Sequence, residues 1–168
     1  MTLVQKISAY NLGLLTDRDL PDIAMTGLEE GYTSESLRIL AGYSSNDNAF
    51  QLVDYFKRTL LELRLTPIDK KDSLISVIKH YADKIIQRQL DPYLGFDDIN
   101  KIVRTTHFDY SDISLNECYV DYISIWEVQS DGLQLHTGSG LTKEKYIDKT
   151  KEDLVNHLRQ FLTEIGGT

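Results

Sequence analysis

The sequence predicts an all-α fold, a single-domain bundle of about seven helices over residues 1–168. Three observations predict it. Apolar residues recur at i, i+3 and i+4 along most of the chain. The periodic stretches are separated by Gly, Pro and capping residues where helices start and stop. Outside one ambiguous stretch, no period-two run offers a strand that another could pair with. A chain of 168 residues also suits one domain, burying roughly two-thirds of its unfolded surface.

Leu3, Val4, Ile7, Ala9, Tyr10, Leu12, Leu14 and Leu15 form a helical spread interrupted by Gly13, and Asp17-Arg18-Asp19 reads as a polar turn. Leu20-Pro21-Asp22 is a helix start, because proline is tolerated in the first turn. Ile23, Ala24 and Leu28 then face inward up to Gly31, which suits the left-handed residue that stops a helix. Thr33 or Ser34 caps the next helix, whose inner face is Leu37, Leu40 and Ala41 and whose end is Gly42. Ser44 to Asn48 is a loop rich in capping residues. It opens a helix with Phe50, Leu52, Val53, Phe56, Leu60, Leu61 and Leu63 on a broad apolar face through about Leu65. Thr66-Pro67 stops it, since the residue before proline is pushed out of helical geometry.

Asp72 or Ser73 caps the following helix, which carries Leu74, Ile75, Val77, Ile78, Tyr81, Ala82, Ile85 and Ile86 and runs to Leu90. After the break at Asp91-Pro92, Tyr93, Leu94, Phe96, Ile99, Ile102 and Val103 mark a shorter helix ending before His107. Residues 113–128 fit two periods. Leu115, Tyr119, Tyr122 and Trp126 share one side at helical period, whereas Cys118, Val120, Tyr122, Trp126 and Val128 alternate as a strand would. Helix is the expectation, because the rest of the chain offers no strand partner. Asp131 to Gly140 reads as a glycine-bearing loop. In the last helix, Thr150 and Asp153 have capping-box spacing, Leu154, Leu158, Phe161, Leu162 and Ile165 face inward, and Gly166-Gly167 ends it.

Two of these stretches resemble known motifs. Gly31-Tyr32-Thr33-Ser34, Leu37-Arg38 and Leu40-Ala41-Gly42 together resemble the central motif of a largely uncharacterised family of small bacterial all-helical proteins. Leu90-Asp91-Pro92-Tyr93-Leu94-Gly95 resembles a turn-and-helix motif of the same family. The resemblance covers most of residues 1–104. It implies a single helical domain and brings no catalytic residues with it.

Composition bounds the function. No apolar run approaches the ~20 residues a bilayer crossing needs, and the start Met1-Thr2-Leu3-Val4-Gln5-Lys6 lacks the pattern of a secretory signal. One cysteine, Cys118, leaves no internal disulfide, which fits a cytoplasmic setting. The net charge of −8 argues against nucleic acid as a partner. Its distribution says more. Residues 91–131 hold nine acids and two bases, while the remainder of the chain is close to neutral. Within that quarter, Thr105 to Asp131 holds six acids and no Lys or Arg, together with Phe108, Tyr110, Tyr119, Tyr122 and Trp126.

Such a segment reads either as a solvated face that keeps the chain soluble or as a surface whose field steers a basic protein and whose aromatics supply contact area. The leading expectation is a non-enzymatic interaction domain, with Asp109, Asp112, Glu117, Asp121 and Glu127 facing a basic partner. An immunity-type protein occluding a basic bacterial toxin is its concrete version. The alternatives are a small enzyme holding a divalent metal through Asp97, Asp98, Asp109 and Asp112, and a helical adaptor whose acids only solubilise. No cofactor is expected. His80, His107, His136 and His157 lack the i, i+4 spacing of a helical zinc site. Residues 132–140 lack the Gly-Lys-Ser/Thr ending of a phosphate loop, and no Gly-x-Ser-x-Gly elbow is present.

Overall fold

The computed structural model describes residues 1–65, 68–113, 115 and 139–166. Among the described residues the fold is all-helical, with seven α-helices: α1 (Leu3–Asn11), α2 (Leu20–Glu29), α3 (Glu35–Ala41), α4 (Ala49–Glu62), α5 (Lys70–Ile86), α6 (Pro92–Thr106) and α7 (Lys143–Gly166). Short 3-10 turns lie at Asp17–Asp19 and Tyr110–Ile113, and there is no strand among the described residues. None of these helices is long and apolar enough to cross a membrane. Two compact units divide the chain, Met1–Val77 and Ile78–Thr168, and the boundary falls within α5.

In the first unit α2 packs on α1 and α3, and α3 packs on α4. Leu3, Leu20, Ile23, Leu37, Leu40, Leu52 and Phe56 form its core, each large side chain contributing about 1.5–3 kcal/mol by burial. Gly27 sits where three helices converge. A Cβ there would lie 3.1 Å from Leu3 Cδ2 and 3.3 Å from Leu37 Cδ1. The corner from α2 to α3 is built as the sequence predicts. Gly31 takes φ +86°, its N–H donates to Leu28 O at 3.0 Å, and Tyr32 N–H donates to Gly27 O at 2.9 Å. Ser34 Oγ then accepts from Leu37 N at 3.1 Å.

Carboxylates from elsewhere in the unit complete two helix starts, where unpaired N–H groups favour negative charge. Glu30 accepts from Leu3 N at 3.0 Å. Glu62 accepts from Ser36 N at 3.0 Å and from Ser36 Oγ, and the Ser36 hydroxyl above all holds the Glu62 carboxyl below its usual range.

Several helix limits differ from those the sequence predicts. α4 stops at Glu62, ahead of Thr66-Pro67, which lie outside the described residues. Arg64 takes φ +53°, and Leu65 N–H closes the turn on Leu60 O at 2.9 Å. α5 stops at Ile86 instead of Leu90 in the same way, with Arg88 at φ +59° and Gln89 N–H on Lys84 O at 2.8 Å. Its cap is Asp69, whose carboxylate accepts from Asp72 N at 2.8 Å, so neither Asp72 nor Ser73 has that role. Ser73 is buried and receives the Asn11 side-chain amide at 2.9 Å.

α7 begins at Lys143, seven residues before the expected Thr150. Thr142 starts it, its carbonyl accepting from Tyr146 N at 2.9 Å, and Thr150 is a buried interior residue. The sequence predicts Phe50 and Leu61 on the inner face of α4, and they are instead 88% and 78% exposed. On α6 the same holds for Leu94. The helix or strand expected over 113–128 and the loop through residue 138 fall almost wholly outside the described residues.

Candidate functional site

The acidic segment leaves α6 through an anchored turn. His107, in left-handed conformation at φ +59°, ends the helix. Asp109 follows, exposed, and the 3-10 turn Tyr110–Ile113 comes next. The Tyr110 hydroxyl donates to Asn100 Oδ1, a buried amide on α6. Burial pushes the Tyr110 phenol up from its ordinary pKa. Ile113 and Leu115 are buried, and Leu115 N–H donates to Tyr110 O at 3.0 Å. The start of the segment is therefore pinned by one polar and two apolar anchors. Of the partner-facing residues expected from sequence, Asp109 lies at this turn and the backbone of Asp112 lies within it. Glu117, Asp121 and Glu127 lie outside the described residues.

Asp97 and Asp98 sit side by side on α6, and both engage the ammonium of Lys101. Asp97 does so at 2.6 Å and Asp98 at 3.9 Å. The hydrogen bond that Lys101 donates to the Asp97 carboxylate raises the Lys101 pKa. Among the described residues, no three His, Cys, Asp or Glu side chains converge as metal ligands. Burial pulls His80 down to about 4, His157 Nδ1 lies 2.8 Å from Asp153 O, and His136 is outside the described residues.

The second unit also contains a cleft of about 430 Å³, which no local sequence pattern marks. Its walls are Ile85 at the end of α5, Arg88 and Asp91 in the connection that follows, Pro92 at the start of α6, and Lys151 and Glu152 on α7. Asp91 caps α6, accepting from Tyr93 N at 3.0 Å and Leu94 N at 3.4 Å, and it also binds Lys151 Nζ. Burial alone would raise the Asp91 pKa. The Lys151 bond and the two N–H groups outweigh it and hold the carboxyl below its ordinary value. The same ammonium lies 5.4 Å from the centroid of the Tyr93 ring.

Thr150 Oγ1 donates to Ile147 O at 2.9 Å, so in its contact with the Tyr93 hydroxyl the phenol is the donor. Glu152 stands between Arg88 at 3.8 Å and Arg159 at 3.6 Å. The Leu90-to-Gly95 motif is thus a clamp, in which Asp91 and Tyr93 tie α6 to α7 and Gly95 lets α6 approach Ile85. Within the clamp the Asp91 carboxylate and the Lys151 ammonium neutralise each other. The pairing of Asp91 with a lysine sixty residues later leaves no local signature. Comparison with known proteins finds no matching family model, no similar curated protein and no similar solved structure.

Proposed function

We propose that the protein is a non-enzymatic interaction domain whose acidic, aromatic-bearing segment, residues 105–131, presents to a basic protein. The segregation of charge carries this reading: six acids and no Lys or Arg lie between Thr105 and Asp131. Charge of one sign costs stability through self-repulsion, so its confinement to one segment is economically explained by a partner of opposite sign. Support comes from how acids elsewhere are used. Asp17, Asp22, Glu30 and Glu62 bind groups of the first unit, and Asp97 and Asp98 bind Lys101. Those roles are internal, and they favour the partner reading over a metal site built on Asp97 and Asp98.

The concrete version is immunity-type occlusion. Carboxylates of residues 109–127 pair with the Lys and Arg that a bacterial toxin uses on its own substrate, and Tyr and Trp fill the contact between them. The motif resemblance to small bacterial helical proteins and the lone Cys118 support a bacterial cytoplasm as the setting of this action. The test compares wild type with a Glu117→Lys/Asp121→Lys variant as bait in native lysate, followed by binding of the purified prey at rising salt. A basic protein held by wild type alone, and released as salt screens the charges, is the expected result. Equal retention by both baits overturns the reading.

A further inference from the structure

The exposed face of α4 has a symmetry that its sequence alone does not reveal. Leu52, Phe56 and Thr59 point into the first unit, so the opposite side of the helix faces out. On that side Phe50, Asp54, Lys57 and Leu61 follow at i, i+4, i+7 and i+11, all within about 60° of arc. All four are exposed, Phe50 at 88% and Leu61 at 78%. Single exposed apolar residues are ordinary. A phenylalanine and a leucine aligned about 16 Å apart on one line, with opposite charges between them, are not.

The order along the stripe is apolar, acid, base, apolar. In an antiparallel pair of such helices related by a two-fold axis, residues whose numbers share one sum lie at the same level. Phe50 then faces Leu61 of the second copy, Asp54 faces its Lys57, and both contacts occur twice. Asp54 is already bound to Arg58 at 2.7 Å, and Arg58 is stacked toward the Tyr55 ring at 5.4 Å, which steadies the acid on this face. Lys57 has no ion-pair partner among the described residues. An isologous interface requires a self-complementary surface, and this stripe has that property in both its apolar and its charged positions.

We infer that α4 is a self-association surface whose occupant is α4 of a second copy of this chain, packed antiparallel. A helix of 14 residues presents a face only about 20 Å long. That buries less than the ~1,600 Å² of a standard stable interface, so the dimer is weak and depends on concentration. This surface lies in the first unit and does not rest on the acidic segment.

Sedimentation equilibrium on the full chain, from about 5 µM to 1 mM, tests it. Wild type forms a reversible dimer. Asp54→Lys and Lys57→Asp each place two like-charge contacts in the interface and weaken dimerisation by about tenfold or more. All the substituted positions are exposed, so the fold persists, as circular dichroism verifies. An equimolar mixture of those two variants recovers association, because the two-lysine stripe of one meets the two-aspartate stripe of the other. Phe50→Ser weakens the dimer whatever the charges. A wild type that stays monomeric over the whole range, single variants that associate as wild type does, or a mixture that does not recover would each overturn the inference.

Discussion

Replacing Gly95 by alanine measures how tightly α5 and α6 meet beneath the cleft. Helix propensity alone favours the change by about 1 kcal/mol. The site opposes it. A Cβ at position 95 would lie 2.6 Å from Ile85 Cγ1, 2.8 Å from Ile85 Cδ1 and 3.4 Å from Leu90 Cβ, where unstrained carbon contacts sit at about 3.5–4.0 Å. Ile85 is fully buried, and its Cγ1 is one bond from Cβ, so it cannot swing aside as a chain end could. Overpacking costs about 1–3 kcal/mol. A contact this short to a buried branched residue belongs in the upper half of that range, which leaves a net loss of about 1–2 kcal/mol.

Thermal unfolding should then fall by about 2–8 °C. In an Ile85→Ala background the obstruction is gone, and Gly95→Ala should be neutral or stabilising by up to about 1 kcal/mol. Urea unfolding of the four proteins, followed by far-ultraviolet circular dichroism, closes the double-mutant cycle. The coupling between the two positions should be about 2 kcal/mol. A Gly95→Ala protein as stable as wild type, or the same cost in both backgrounds, would refute the packing argument.

Two further outcomes follow from polar side chains at Thr59 and Asp91. Thr59 Oγ1 is buried without a hydrogen-bond partner among the described residues, so Thr59→Val, which keeps the shape and removes that hydroxyl, should raise stability by about 1 kcal/mol or more; a destabilised variant in the same urea assay would count against it. Asp91→Ala removes the α6 cap and should cost about 1–2 kcal/mol at neutral pH. Because the folded Asp91 carboxyl is held below its ordinary pKa, its contribution is complete above the unfolded value near 3.8 and disappears as pH falls through the lower folded value. The stability gap between wild type and variant should therefore stay constant from pH 7 to about 5 and narrow below about 4; a gap that persists unchanged to pH 2 would contradict the assignment.

The helical class is legible in the periodicity of the chain, and so are several helix starts and stops that use a dedicated residue. Gly13 and Gly31 take φ of +75° and +86°, and Ser34, Asn48 and Asp91 accept N–H groups at the starts of α3, α4 and α6. Such signals are local, since one residue type satisfies one orphaned backbone group. The sequence also places the excess acid in residues 91–131, because charge is counted along the chain.

The remaining features depend on contacts between elements far apart in the chain. Arg64, Arg88 and His107 end helices in a conformation that costs a side-chain-bearing residue about 1 kcal/mol, which the surroundings must repay, so their identity announces nothing. Thr150 reads as a cap by its spacing and is an interior residue, because Tyr93 supplies a partner from another helix. Phe50 and Leu61 belong by type to an apolar face and stand outside it, because the core of the first unit covers only the opposite side of α4. Periodicity states which residues share a side of a helix; which side is covered depends on neighbours that the local sequence does not contain.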